Sequence, residues 1–419
     1  MHGNRRYVKL AFLALAVPAL AVVSPARAEL LYPGQVDGAR LAAPQPGRSP
    51  VVGYVLGSTV HIASRGPSGW TDASIGFPSA VELDGVAGRF VLGRARDGTW
   101  LALWDGTKLR FFHRDSRQAR FGPAGLALDR NGRAVVAYAL WFPSQRTFLR
   151  LAQLRGDGAL RVRAVTREGF PPSRVPAAAA PVVLASGEIR VVETFLPGAI
   201  SWRLTGWGKL LFSSALGVPT GGVVAVASGS TVYAAWTEAF PTLGPPAVVL
   251  ASHAERVQSG VALEDAVLAG LALTPDGPEL AANRCIPAAA FGLEGNGVCG
   301  GIVAGGGVDG VLADYVAVGA ERRLLLQTQD GLEWFSSPGP LPVRVTLNAD
   351  LSGRVDGVSG GTVTIYRERP GEPRTQLATV QLGPDGAFSI PAPASPRAAA
   401  YRAVYSEPAT GIPYAALVR

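Results

Sequence analysis

Two stretches of the chain say nearly the same thing: GLALDRNGRAVVAYA, Gly125–Ala139, and GLALTPDGPELAANR, Gly270–Arg284. Each is a run of alternating apolar residues, a short polar break with glycine, and a second alternating run. Period-two alternation places successive side chains on opposite faces of a strand, so each stretch reads as strand, tight turn, strand. Three more copies are looser: SAVELDGVAGRFVLGRA from Ser79, APVVLASGEIRVVETF from Ala180 and GVVAVASGSTVYAAWTE from Gly222.

After each hairpin comes a less regular return with its own glycine turn, as in TWLALWDGTKLRFFHRD from Thr99 and TFLRLAQLRGDGALRVRAV from Thr147. Ten Asp-Gly pairs punctuate the chain, beginning at Asp37, Asp84, Asp97, Asp105, Asp157, Asp276, Asp309, Asp330, Asp356 and Asp385. Asp-Gly accepts the positive φ angles of a two-residue hairpin turn. No helical period of useful length follows the first 28 residues.

Four strands recurring every 45 to 50 residues (about one blade length) predict a β-propeller, whose blades must stack because one blade cannot bury both faces. The spacing places units near 45–78, 79–122, 123–174, 175–218, 219–270 and 271–310. A shorter unit, DYVAVGAERRLLLQTQDGLEWFSS, echoes GYVLGSTVHIASRGPSGWTD, with Trp334 falling where Trp70 does. The expectation is an all-β chain with a six- or seven-bladed propeller at 29–338, closed by ELLYPGQ lending a strand to the last blade. The Pro-rich SSPGPLP reads as a short stiff linker. Seven strand-like runs beyond it, from VRVTLNA to PYAALVR, have the size and spacing of an Ig-like β-sandwich at 339–419. AAYRAVY resembles the tyrosine corner of such sandwiches, with Tyr401 in that place.

The N-terminus reads as an export signal, residues 1–28: a basic MHGNRRYVK, an apolar LAFLALAVPALAVV and the small-residue ending ARA. Arg5-Arg6 loosely resembles a twin-arginine signal; the general secretory route is preferred, and a secreted, extracellular location follows. The chain carries +8, but 1–28 hold Arg5, Arg6, Lys9, Arg27 and no acid, leaving 35 basic and 31 acidic residues, +4. The arginines are scattered, so no nucleic-acid-binding face is expected. No later apolar run is long enough to span a membrane. Cys285 and Cys299 form the expected disulfide of an oxidising compartment. His61, His113 and His253 stand apart, and neither a metal site nor a cofactor is expected.

TQDGLEWF, Thr328–Phe335, resembles the Asp-box turn of sialidase-type propellers, in which an Asp side chain caps turn amides and a Trp packs between blades. The resemblance implies a propeller and no activity. SRVPAAAAPVV resembles the stretch that introduces a catalytic arginine in sialidases, and would make Arg174 a carboxylate-binding residue. GVSGG at 357–361 lacks the following helix of a nucleophile elbow, leaving Ser359 a turn residue. GGGVDG at 305–310 lacks the helix of a dinucleotide site.

The excursions LWFPSQR and WTEAFPTLGPP occupy equivalent places in two blades. Their aromatics, Trp141, Phe142, Trp236 and Phe240, either build a ligand-binding face or pack between blades. No catalytic residues are singled out. The first expectation is an exported, non-catalytic binding or adhesion protein that recognises a glycan or an extracellular protein. A propeller-type glycoside hydrolase or lyase is the second, and a structural envelope protein the third.

Overall fold

A computed structural model describes residues 28–42, 48–112, 119–142, 147–165, 178–195, 198–203, 209–214, 218–240, 244–253, 257–291, 297–303, 306–391, 399–406, 408 and 411–419. Residues 1–27 and Arg174 lie outside it. Among the described residues the chain is all-β, with a single 3₁₀ turn at Ala288–Phe291.

Seven antiparallel units follow one another, four-stranded except the third, where two short strands, Arg120–Phe121 and Gly125–Leu128, share the edge of Ala134–Trp141. The first runs from Gly38 to Gly76, the second from Val81 to Phe111, the third from Arg120 to Ala164, the fourth from Ala178 to Ser214. The fifth spans Val218 to Leu263 and the sixth Ala266 to Val308. The seventh joins distant parts of the chain: Val311–Val318, Glu321–Gln327 and Leu332–Ser337, with the N-terminal Ala28–Tyr32 as its outer strand, Glu29 facing Trp334. The two repeats that open the sequence are the first hairpins of the third and sixth sheets, Leu126 opposite Val136 and Leu271 opposite Leu280.

The third sheet shows why the sheets stack. Every residue from Ala134 to Leu140 is buried. Val136, Tyr138 and Leu140 pack with Phe90, Leu92 and Leu103 of the second sheet, whereas Val135 and Ala137 pack with Ile189 and Val191 of the fourth. A strand apolar on both faces needs a neighbour on each side. The first strands accordingly contact one another in a closed cycle, from Gly38–Leu41 through Val81–Ala87, Gly125–Leu128, Ala178–Val183, Val218–Ser228, Ala266–Thr274 and Val311–Val318 back to Gly38–Leu41. That cycle is the arrangement of a β-propeller.

Side chains bridge from one sheet to the first strand of the next and satisfy its backbone. The Ala124 amide donates to Asp84 Oδ2 (3.1 Å), the Leu268 amide to Thr237 Oγ1 (2.9 Å) and the Leu41 amide to Asp314 Oδ2 (2.7 Å). Asn283 makes the same bridge twice, accepting from the Leu312 amide and donating to its carbonyl, both at 2.8 Å. Burial pushes the Asp84 and Asp314 carboxyls up, against the opposing pull of Arg94 and Arg40.

Closure is made by a cluster at the seam. Glu29 accepts from Arg65 Nε at 3.1 Å and from Trp70 Nε1 at 2.5 Å. The Arg65 guanidinium lies 4.9 Å from the Trp334 ring, and Trp70 meets Trp334 edge-on at 5.6 Å.

The first sheet begins seven residues before the periodicity places it, because GARL is a short, half-polar strand with no alternation to read. Past Ser337 the next strand is Arg344–Leu347. It pairs with Ser352–Asp356, which pairs with Ala387–Ser389. The other four C-terminal strands run in the order Pro413–Val418, Ala400–Ser406, Thr362–Glu368, Thr375–Gln381. All seven expected runs are strands. Their attachment differs from a module on a linker: Val308 of the sixth sheet pairs with Tyr414, so one sheet runs from the ring into the C-terminal region. Gly307 permits this, since a side chain there would run into the Ala415 carbonyl. Tyr315, Leu324 and Phe335 share one core with Val345, Phe388 and Tyr405.

Candidate functional site

Where the seventh sheet faces the C-terminal strands, a cleft of about 810 Å³ opens, within the usual range for ligand sites. Its propeller wall is the turn Thr328–Gly331 with the strands beside it. The Thr328 hydroxyl accepts from the Asp330 amide (3.2 Å) and donates to Glu333 Oε1 (2.9 Å). The cap of this turn is therefore Thr328, where the Asp-box resemblance placed Asp330. Trp334 does pack as that resemblance implies, between the first and seventh sheets. Gln327 ties the turn to the N-terminal segment, donating to the Gly34 carbonyl at 3.0 Å and accepting from the Val36 amide at 3.2 Å. Burial pushes the Glu333 carboxyl up; Thr328 opposes this, and Asp330 and Asp309 add to it.

The facing wall carries a network of two arginines and two acids from separate segments, with Arg369 paired beside it to Glu372, Nη1 to Oε1 at 2.7 Å. Arg402 donates to Glu368 through Nε (2.6 Å) and Nη2 (2.9 Å), and Nη2 also reaches the Cys299 carbonyl at 2.7 Å. Arg374 Nη1 donates to both oxygens of Asp309, at 2.9 and 2.8 Å, and its guanidinium lies 4.0 Å from the Tyr366 ring. Arg402 Nη1 stands 3.4 Å from Asp309, which joins the two pairs. Burial alone would lower the Arg402 pKa, but Glu368 and Asp309 hold it above the ordinary value. The network balances its own charge. Groups left facing the cleft include Gln35, Gln329, Asp330, Glu333 and Gln376.

Cys285 and Cys299 occupy facing positions on adjacent strands and form a disulfide, with Cys299 on the cleft wall. The aromatics read from sequence lie elsewhere. Trp236 is in the strand Thr231–Phe240, not a loop; it is 0 % exposed and its indole N–H donates to Glu238 Oε1 at 2.7 Å. Its ring packs with Val192 and Val249. Phe142 is half-buried, edge-on to Phe148 at 6.0 Å. Trp141 is half-buried at the end of its strand, and Phe240 ends the strand of Trp236. Trp141, Phe142 and Trp236 do not line the cleft; the side chain of Phe240 lies outside the described residues. Of the acids that a hydrolase reading would draw on, Glu193 and Glu238 are 0 % exposed and Glu188 pairs with Arg190 at 3.1 Å. Among the described residues no three His, Cys, Asp or Glu side chains are grouped to hold a metal, and no helix is long and apolar enough to cross a membrane.

The cleft residues left signals that alternation hides. Arg402 and Glu368 are charges inside the strand-like runs AAYRAVY and TVTIYRE, and Asp309 belongs to an Asp-Gly pair.

No protein-family model matches the chain, and no curated protein matches it. Among solved structures it is similar to virginiamycin B lyase from Staphylococcus aureus, with 10% identity over 74% of this chain and 99% of that one, TM-score 0.44. It is also similar to the six-bladed β-propeller Aleuria aurantia lectin, whose structure describes fucose recognition, with 13% identity over 87% of this chain and 99% of that one, TM-score 0.40. The WD40 domain of SCAP from fission yeast is similar at 9% identity over 74% of this chain and 97% of that one, TM-score 0.34. Likenesses this remote carry neither substrate nor chemistry across to this chain.

Proposed function

We propose that the chain is an exported glycan-binding protein. In this reading residues 1–28 are the export signal. The seven sheets of residues 29–338 are the blades of one propeller, and residues 339–419 are an Ig-like sandwich docked on its last two blades. The closed cycle of first strands supports the blade number, and the paired three- and four-stranded sheets support the sandwich.

The observation that carries the binding function is the composition of the cleft. Gln35, Gln329 and Gln376 offer amides, Asp330 and Glu333 offer carboxylates, and the wall arginines are already paired within the protein, Arg369 with Glu372, Arg374 with Asp309 and Arg402 with Glu368. Planar polar groups on two facing walls suit the donor and acceptor hydroxyls of a sugar.

A second reading, glycoside hydrolysis, is favoured by Glu333, whose carboxyl is held up inside the cleft as a general acid requires.

The test is to incubate the exported chain with a panel of polysaccharides and glycoconjugates and to read retention and mass-detected products together. Retention without products, weakened about fivefold per hydrogen bond lost in Gln376→Ala and Gln329→Ala, is expected for binding. Products abolished by Glu333→Gln would move the assignment to hydrolysis. No retention and no products would overturn both.

A further inference from the structure

A second opening lies near the ring axis, where the first, fifth and sixth sheets converge. It measures about 290 Å³ and is lined by Arg40, Thr220, Gly221, Gly222, Thr237 and the start of the sixth sheet's first strand. Arg40 belongs to the first strand of the first sheet. Its Nη1 donates to the Ala313 carbonyl at 3.1 Å, and among the described residues no carboxylate stands within ion-pair distance of it. The neighbouring Asp314 turns its two oxygens to the amides of Leu41 and Tyr315, at 2.7 and 2.8 Å. Most of the Arg40 fork is thus left for something in the pocket.

Beside the arginine, the fifth sheet's first strand is bulged. Thr220 faces Thr237 and Val223 faces Trp236, so Gly221 and Gly222 drop out of the pairing register. Gly221 needs glycine for its φ of +76°. Gly222 does not: its φ is ordinary, it is exposed, and nothing lies within 4 Å of where a side chain would start. Neither packing nor backbone conformation calls for glycine there. A bulge takes its extra residues out of the regular ladder, and with no side chain at either glycine their backbone lines the pocket directly.

We propose that this axial pocket binds a carboxylate, carried by a small sugar acid about one hexuronate unit in size. Arg40 takes the carboxylate through two N–H groups, the Gly221 and Gly222 amides and the Thr220 hydroxyl complete the anion's hydrogen bonds, and Val224 and Val267 border the ring. The site is separate from the cleft and does not depend on what the cleft takes.

The experiment is a calorimetric or NMR titration of the full exported chain with glucuronate, glucuronate methyl ester and glucose. Glucuronate should bind at least about tenfold more tightly than the ester or glucose, since charge-assisted hydrogen bonds are lost in the neutral compounds. Arg40→Gln should remove that preference, and Arg354→Gln, an exposed position on the C-terminal strand Ser352–Asp356, should keep it. Gly222→Val should weaken glucuronate binding with an unchanged melting temperature, and it decides the matter if Arg40→Gln does not fold. Equal affinity for acid and ester, unaltered binding by a folded Arg40→Gln or Gly222→Val variant, or no glucuronate binding at millimolar concentration would overturn the proposal.

Discussion

Arg402 and Glu368 form a two-point ion pair across adjacent C-terminal strands, Nε to Oε1 at 2.6 Å and Nη2 to Oε2 at 2.9 Å, with only 4% and 11% of their side chains exposed. Removing one member of a buried pair strands the other's charge, which typically costs about 3–5 kcal/mol, whereas replacing both by apolar groups is often close to neutral. Arg402→Met should therefore lower stability by about that amount, read by denaturant unfolding. Combining it with Glu368→Leu should restore most of the loss. If the double variant is as unstable as the single one, the pair is not what holds the C-terminal sheet in place.

The seam of the ring gives a second prediction. Gly331 has φ +140°, and a Cβ at that position would run into the Tyr32 carbonyl of the N-terminal strand. Gly331→Ala should lower the melting temperature by displacing that strand. Beginning the chain at Pro33 should lower it too, and should promote aggregation, because Leu332–Ser337 then becomes an open edge. Adding Gly331→Ala to the shortened chain should cost less than it does in the full chain, since the Tyr32 carbonyl is gone while the positive φ and the close approach of Pro33 and Gly34 remain. Additive losses would show that Gly331 matters for some other reason.

The all-β architecture was legible because its signals are local. Alternation and Asp-Gly turns are properties of neighbouring residues, and eight of the ten Asp-Gly glycines have positive φ. The two that do not, Gly38 and Gly85, lie in strands, where Asp84 serves as a bridge between sheets. The cleft was not legible because it is assembled from Thr328, Asp309, Glu368 and Arg402, which no spacing rule connects. Of the two places open to Trp236, a binding face or packing between sheets, the structure takes the packed one. A Trp-Thr-Glu run beside Phe-Pro looks like a polar excursion, yet the strand continues through it and Glu238 supplies the indole's buried partner.

That burial makes Trp236 a stability residue. Trp236→Ala should cost about 3–5 kcal/mol, the usual range for deleting a large buried aromatic, and any fraction that folds should keep full affinity for a cleft ligand. A loss of affinity at unchanged melting temperature would place Trp236 at a binding surface after all.

Asp105 gives the stability a pH dependence. Burial would raise its pKa, but the Thr107 hydroxyl, the Lys108 and Thr107 amides and Arg110 together outweigh it and hold the carboxyl well below 3.8. A carboxyl whose folded pKa is depressed binds fewer protons in the folded state, so its contribution is complete above the unfolded value and fades as pH falls toward the folded one. Unfolding free energy should drop with acidification below about pH 4. Asp105→Asn should be less stable than wild type at neutral pH and should show a shallower acid limb. Parallel acid limbs in the two proteins would mean that other carboxyls set the slope.

The disulfide joins stability to the cleft. Cys285 and Cys299 are 14 residues apart, and closing a loop of that size stabilises by about 3 kcal/mol in the chain-entropy model. The Cys299 carbonyl also accepts a hydrogen bond from Arg402, and Cys299 lines the cleft. Replacing both cysteines by alanine should lower the melting temperature and weaken cleft binding together. The axial pocket draws on the first, fifth and sixth sheets at Arg40, Gly221, Gly222 and Leu268, away from this hairpin, so glucuronate binding should persist in the folded double variant. Loss of both binding activities with the fold retained would mean that the two sites are coupled through the sixth sheet, which carries Leu268 on its first strand and the disulfide on the next two.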